Sequence, residues 1–237
     1  LDSEEAYRIN AFDWEKEFPE IMKRGGFDAV IGNPPYGATV GEVEAQYLSK
    51  KFEATNKDLD TYSLFMEQAV QLTKSRGKIS MIVPTGWYSG AKFRNLRRFI
   101  ARATDPESFV NLPYDIFGAW VDTTVFAFTK RPHPTIWPRK TPHKVTLRTF
   151  PKRYRIRSSA EFVEELRSAD FAEWFSNGED EFLTYADSIA TRLMRKIQDG
   201  AKPLQEFADV QRGVTPFNLT DLATHATSRP AFNGTVR

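Results

Sequence analysis

Phe27-Asp28-Ala29-Val30-Ile31-Gly32-Asn33-Pro34-Pro35-Tyr36-Gly37 is the stretch from which the rest of the chain is best read. Ala29, Val30 and Ile31 make a short apolar run of the kind that forms a buried strand. Gly25-Gly26 precede the run and a proline pair ends it, so the strand passes directly into a stiff Asn-Pro-Pro-Tyr corner. Each proline fixes its own φ, and Pro35 also restricts Pro34. The oxygens of the corner are therefore set before anything binds, with little entropy left to lose.

Outward from the corner, strands alternate with helices. Before it, Tyr7 to Asn10 reads as a short strand ending near Asp13-Trp14. After it, Glu42 to Glu53 looks helical, and Asp60 to Ser75 more so, because Tyr62, Phe65, Met66, Ala69, Val70 and Leu72 keep a three-to-four spacing. Gly77 is the expected stop of that helix. Lys78 to Val83 is a strand closed by Pro84-Thr85-Gly86. Ala91 to Ala103 is a basic amphipathic helix, with Phe93, Leu96, Phe99 and Ile100 inward and Lys92, Arg94, Arg97, Arg98 and Arg102 outward. Ser108 to Leu112 and Val121 to Thr129 follow as strands. The alternation predicts an α/β layered sheet, in which ligands sit at the carboxyl ends of the strands, where the corner lies.

Pro132, Pro134, Pro138 and Pro142 then interrupt the pattern. We place a domain over 1–131, a basic Pro-rich linker with a helical segment over 132–200, and the start of a further domain over 201–237. Within the linker Val145 to Phe150 reads as another strand, and Ser159 to Ser168 and Ala186 to Gln198 as helical. Gly200 and Pro203 mark the second boundary.

Composition excludes more than it selects. With 41% hydrophobic and 27% charged residues the 237-residue chain is ordinary for a globular protein. It has no cysteine, hence neither disulfides nor thiolate metal sites, and its 3 histidines (His133, His143, His225) are too far apart to suggest a metal site. No apolar run is long enough to cross a bilayer and no leader is evident, so the cytoplasm is the expected compartment. A net charge of +2 says nothing about nucleic acid, but its distribution does. From Arg131 to Arg157 nine bases occur with no acid between them, whereas acids dominate from Glu161 to Glu181. A segregated basic stretch suits a phosphate backbone.

The corner carries specific chemistry. An exocyclic amino group of a nucleobase is a poor nucleophile because its lone pair is delocalised into the ring. Two acceptors around its two hydrogens favour the tetrahedral form and stabilise the positive charge that grows as a bond to nitrogen forms, which is oxyanion-hole logic with the sign reversed. The Asn33 side-chain oxygen and the Pro34 carbonyl can be those acceptors. Tyr36 can stack on a base turned out of a duplex, since a stacked base is out of reach. A proline pair alone can simply end a strand. The full tetrapeptide arises by chance in roughly one chain of this length per thousand, which favours the chemical reading.

On these residues the chain resembles the bacterial adenine-N6 DNA methyltransferases, most closely the gamma-ordered type of single-chain restriction–modification and phage-defence enzymes. Four blocks are similar, in order: Asn10-Ala11-Phe12-Asp13-Trp14; Phe27 through Tyr36; the helix through Tyr62, Leu64, Phe65 and Ala69 leading to Gly77 through Pro84; and Ile116-Phe117-Gly118-Ala119-Trp120 through Phe126. The resemblance implies the C-terminal part of a Rossmann-like S-adenosylmethionine-dependent methyltransferase sheet. It implies catalytic roles for Asn33, Pro34 and Tyr36, and base contacts from Tyr36 and Phe117. Cofactor contacts fall to Asn10, Asn33 and Pro35, although Asn10 stands where the family usually has an acid. S-adenosyl-L-methionine is the implied donor and double-stranded DNA the implied partner, with a nuclease or specificity module of the same system as a further associate. Ala208 through Pro216 is similar to the opening of the family's target-recognition domain.

The family's Gly-rich cofactor turn has no counterpart here: Gly25-Gly26 is too close to the catalytic strand, and the glycines after Thr85 follow the wrong one. We therefore expect a fragment of a longer enzyme, with at least two strands upstream and little activity alone; micromolar S-adenosylmethionine binding by the isolated chain in calorimetry would contradict this. Two alternatives keep different parts of the reading. One transfers the methyl group to RNA or to a protein glutamine. The other is a non-catalytic DNA-binding module. The stretch from Arg131 to Arg157 is read either as a phosphate grip or as a solvated linker, and the arginines of the helix 91–103 either as a DNA-facing element or as an ordinary charged surface. Asp28 is read as structural.

Overall fold

A computed structural model describes residues 12–37, 40–54, 60–114, 116, 121–136, 138, 140–175 and 180–185, with scattered positions from 189 to 208. The chain divides into two compact units, Leu1–Leu193 and Met194–Arg237. Of the second, the described part is a 3₁₀ turn at Leu204–Glu206, with an exposed Lys202–Glu206 ion pair at 3.9 Å. The expected strand at Tyr7–Asn10 lies outside the described residues, as do most of the expected helix 186–198 and the recognition-domain similarity beyond Ala208.

The first unit opens with two short helices, α1 (Trp14–Glu17) and α2 (Pro19–Lys23). Asp13 caps α1, its carboxylate accepting from the Glu15 and Lys16 amides at 3.1 Å, the usual use of an aspartate at that position. Two glycines then turn the chain into β1 (Phe27–Gly32). Gly26 has φ +116, and a Cβ there would stand 2.2 Å from the Leu72 carbonyl oxygen. Only glycine allows both that backbone and that approach.

Helices α3 (Glu42–Lys51) and α4 (Thr61–Leu72) connect β1 to β2 (Thr73–Pro84). Helix α4 passes straight into the strand: Thr73 caps it in an extended conformation, and its hydroxyl donates to the Ala69 carbonyl at 2.7 Å. Gly77, expected to stop the helix, therefore lies inside β2. Helix α5 (Arg94–Ala103) leads to β3 (Thr104–Asn111), and β4 (Thr123–Lys130), β5 (Lys144–Thr149) and β6 (Arg167–Asp170) complete one sheet of order β1-β2-β4-β3-β5-β6.

Strands β1 and β2 pair in parallel, β4 runs antiparallel to both β2 and β3, β3 and β5 are parallel, and β6 is antiparallel to β5. The carboxyl ends of β1, β2, β3 and β5 thus lie at one end of the sheet. Period-two alternation sends Ile79, Met81, Val83, Phe109, Phe126, Phe128, Val145 and Leu147 into the main core, with Leu96 and Ile100 of α5 and Met66 and Val70 of α4 packed in the same cluster. On the opposite face Val110 and Leu112 join Phe150, flanked by Ile82, Val125, Ile156 and Phe162.

Several expectations change. The sheet continues past the boundary expected near residue 131, because β5 pairs with β3 from Ser108↔Thr146 to Asn111↔Thr149; the prolines belong to the connection that carries the chain from β4 to β5. The helix expected at Ser159–Ser168 is a 3₁₀ turn, Ser159–Val163, followed by β6. Strand β1 is half-buried rather than buried: Val30 packs on the core, while Ile31 on the other face is 81% exposed. As the first strand in the sheet order, β1 has a neighbour on one side only among the described residues. Arg97, expected on the outer face of α5, is wholly buried.

Candidate active site

The corner stands at the carboxyl end of β1, held from two sides. The Thr61 hydroxyl, at the start of α4, donates to the Pro35 carbonyl at 2.8 Å. The Tyr36 hydroxyl lies 3.1 Å from the Ile82 carbonyl oxygen of β2 and 3.3 Å from Asn33 Oδ1. A phenol has one proton, and both distances exceed the usual O–H···O length, so the Asn33 oxygen is only weakly engaged. The Pro34 carbonyl accepts no hydrogen bond among the described residues. Two acceptors at one strand end thus retain capacity, one from a side chain and one from the backbone.

Asn33 and Pro35 are exposed, and Pro34 is buried. The Tyr36 ring is half-buried and meets Tyr62 edge-on, with centroids 6.4 Å apart; Tyr62 in turn contacts Phe93 at 5.6 Å. Burial pushes the Tyr36 phenol above its ordinary pKa, so it stays neutral and keeps its proton. Asp60, which precedes α4, pairs with Lys92 at 3.2 Å, tying the helix start to the chain after β2.

The end of the sheet is stitched together strand by strand. The Thr85 amide donates to the Asp122 carbonyl, Leu112 to Thr123 and Phe150 to Asn111, each at 2.9 Å. Behind this line the buried Tyr88 hydroxyl donates to Asn111 Oδ1 at 3.0 Å. Arg97 fixes the loop after β2, with Nη1 donating to the carbonyls of Trp87 and Ser89 at 3.0 and 2.9 Å, Nη2 to Gly90 at 2.7 Å and Nε to Asp180.

Of the predicted site residues, the structure brings together Asn33, Pro34, Pro35 and Tyr36; Asn10 and Phe117 lie outside the described residues. Asp28 takes no part: it is exposed at the far end of β1 and pairs with Lys74. Thr61 and the Ile82 carbonyl were not foreseen. They stand 26 and 46 residues from their partners, a separation over which no spacing rule operates.

Beside Thr61 opens a cavity of about 390 Å³, lined chiefly by apolar side chains including Phe12, Trp14, Leu48, Phe52 and Phe65. Among the described residues there is no cluster of histidine, aspartate and glutamate that could hold a metal, and no helix long and apolar enough to cross a membrane.

Residues 1–117 match the Eco57I restriction-modification methylase family. The matched stretch contains β1, the corner, β2 and β3. A protein of Methanocaldococcus jannaschii, named as a candidate type II restriction enzyme and methyltransferase, is 29% identical over 164 residues, covering 69% of this chain and 13% of its own length. The type II methyltransferase M.TthHB8I of Thermus thermophilus is 37% identical over 86 residues, covering 32% of this chain and 20% of its own. Among solved structures, the M protein of the type I restriction enzyme EcoKI superposes with a TM-score of 0.50 at 17% identity, over 81% of this chain and 53% of that one. At that identity the likeness speaks for the fold, the expected Rossmann-like α/β sheet. The chain spans a small part of the length of the curated relatives it matches.

Proposed function

We propose that this chain carries the methyl-accepting half of a restriction–modification DNA methyltransferase that modifies adenine at N6. The observation that carries the proposal is the pair of available acceptors, Asn33 Oδ1 and the Pro34 carbonyl, on a corner clamped by Thr61 and Ile82. They suit the two hydrogens of one exocyclic amino group. As the amino nitrogen takes up positive charge, both dipoles are already in place, and no reorganisation is needed at that moment. Tyr36 offers a ring to a base swung out of the duplex, and Phe117 is its proposed counterpart on the other face.

The donor is S-adenosylmethionine, whose contribution when bound is an electrophilic methyl carbon. Of its site this chain supplies Asn33 and Pro35 at the strand end, and Asn10 by resemblance. The described residues include no Gly-rich turn for a methionyl tail, so that part of the site falls to other residues. Matching to restriction–modification methylases at several points supports the system, and DNA as the substrate follows from that likeness.

The test uses the full-length protein. Replacing Asn33 by Ala removes one of two acceptors, and by analogy with the loss of one oxyanion-hole donor it should slow methylation by about 10²- to 10³-fold. Protection of DNA from cognate cleavage and sequencing for N6-methyladenine are the readouts. Unchanged marking of adenines by Asn33→Ala overturns the proposal.

A further inference from the structure

Several cations of the first unit are consumed by the fold. Arg97 is buried; Arg98 and Arg94 reach Asp180 at 2.8 and 3.8 Å; Arg102 pairs with Glu53 at 3.1 Å and Arg131 with Asp105 at 2.6 Å. Arg148 pairs with Glu165, and Lys78 with Glu107. The basic helix α5, the more conspicuous candidate in the sequence, thus spends its charge internally. Lys152, Arg153 and Arg155 differ. All three are exposed, and among the described residues none lies within ion-pair distance of a carboxylate.

Their loop has a defined place and shape. Through the Phe150–Asn111 bond the chain leaves β5 beside the end of β3, and the Lys152 ammonium lies 5.8 Å from the Tyr114 ring centroid. The Tyr154 amide donates to the Pro151 carbonyl at 2.9 Å, and the Tyr154 hydroxyl to Glu161 at 2.6 Å. The other Glu161 oxygen accepts the Arg157 and Ser158 amides at 2.6 and 2.9 Å. The nearby acid is therefore occupied in shaping the loop, by a phenol and two backbone amides. Loop and catalytic corner share one end of the sheet, four strand spacings apart, or about 19 Å. Along a duplex that is about five or six base pairs.

We infer that Lys152, Arg153 and Arg155 form a rim that binds the phosphate backbone of a DNA duplex whose target base occupies the Asn33-Pro34-Pro35-Tyr36 corner. The inference rests on the reading of the corner proposed above. It assigns to these residues affinity for phosphodiesters, with no recognition of base sequence.

The experiment measures binding of the full-length protein to a fluorescent random-sequence DNA duplex of about 30 base pairs, across about 50–300 mM NaCl. Each phosphate contact contributes about 0.9 to the slope of log affinity against log salt. Arg153→Ala/Arg155→Ala should therefore flatten the slope by about 1.8 and weaken binding about 60-fold at 0.1 M salt. Arg153→Lys/Arg155→Lys, which keeps the charge, should retain the slope. Lys16→Ala/Lys23→Ala, which removes two exposed charges preceding β1, should also leave it unchanged. If the wild type binds and Arg153→Ala/Arg155→Ala keeps its slope, the rim is overturned while the methyl-transfer reading stands. If the substitutions flatten the slope for duplex RNA and not for DNA, the rim is overturned in favour of an RNA surface. A wild type that binds no duplex DNA overturns both the rim and the reading on which it rests.

Discussion

Replacing Arg97 by Ala should be among the most damaging single changes in the first unit. The guanidinium is fully buried and holds four carbonyls, those of Trp87, Ser89, Gly90 and Asp180. Hydrogen bonds from a charged donor contribute about 1.5–3 kcal/mol each, but the gross sum overstates the loss, because the truncated protein no longer desolvates a cation. Leaving buried carbonyls without their donor costs about 1–3 kcal/mol each before relaxation, and we take about 4 kcal/mol in all. With a urea m-value of about 2 kcal/mol per molar, the unfolding midpoint should fall by about 2 M. The buried Trp87 and Trp174 serve as fluorescence probes. Arg97→Met restores volume without donors and should lie between Ala and wild type. Arg102→Ala, which loses an exposed pair with Glu53, should stay within about 0.5 kcal/mol. A loss below about 1 kcal/mol for Arg97→Ala would refute the assignment of the loop after β2 to this side chain.

Tyr36→Phe forfeits the contact with the Ile82 carbonyl, about 1 kcal/mol of stability, yet keeps the ring and should methylate within a few-fold of wild type; Tyr36→Ala, losing a stacking surface worth about 1–3 kcal/mol, should slow methylation about 5- to 150-fold, compared at equal DNA. Gly26→Ala must relieve both a positive φ and the collision with the Leu72 carbonyl, and thermal unfolding should show a loss of at least about 2 kcal/mol. The hydrogen bond from Tyr154, followed by the backbone amides, holds the Glu161 carboxyl below its ordinary pKa. Its contribution is therefore present above the unfolded carboxylate value and is lost as pH falls through the lower folded value. The loop 151–157 should loosen at acid pH, seen as a change in the Tyr154 resonances as pH falls below the ordinary glutamate value of about 4.3; Glu161→Gln should remove that transition.

Much of the sheet was legible because its strands carry β-branched and aromatic runs closed by Gly or Pro, and the corner was legible because two prolines in sequence leave few conformations. Arg97 is buried against the expectation from its charge, and its position explains why. Phe93, Leu96 and Ile100 define the inward stripe of α5, and position 97, four beyond 93, falls on it by spacing alone, whatever its residue type. Gly77 does not stop α4, because Thr73 both ends the helix and begins the strand. Beyond residue 131 the prolines suggested a linker, yet β5 completes its pairing with β3 through residues some forty positions distant, a contact no local pattern encodes. At the corner itself, the clamps from Thr61 and Ile82 were invisible for the same reason.

Among the described residues the corner is fastened by hydrogen bonds to its immediate neighbours, α4 and β2. A change in the loop that follows β5 therefore leaves both fastenings of the corner in place.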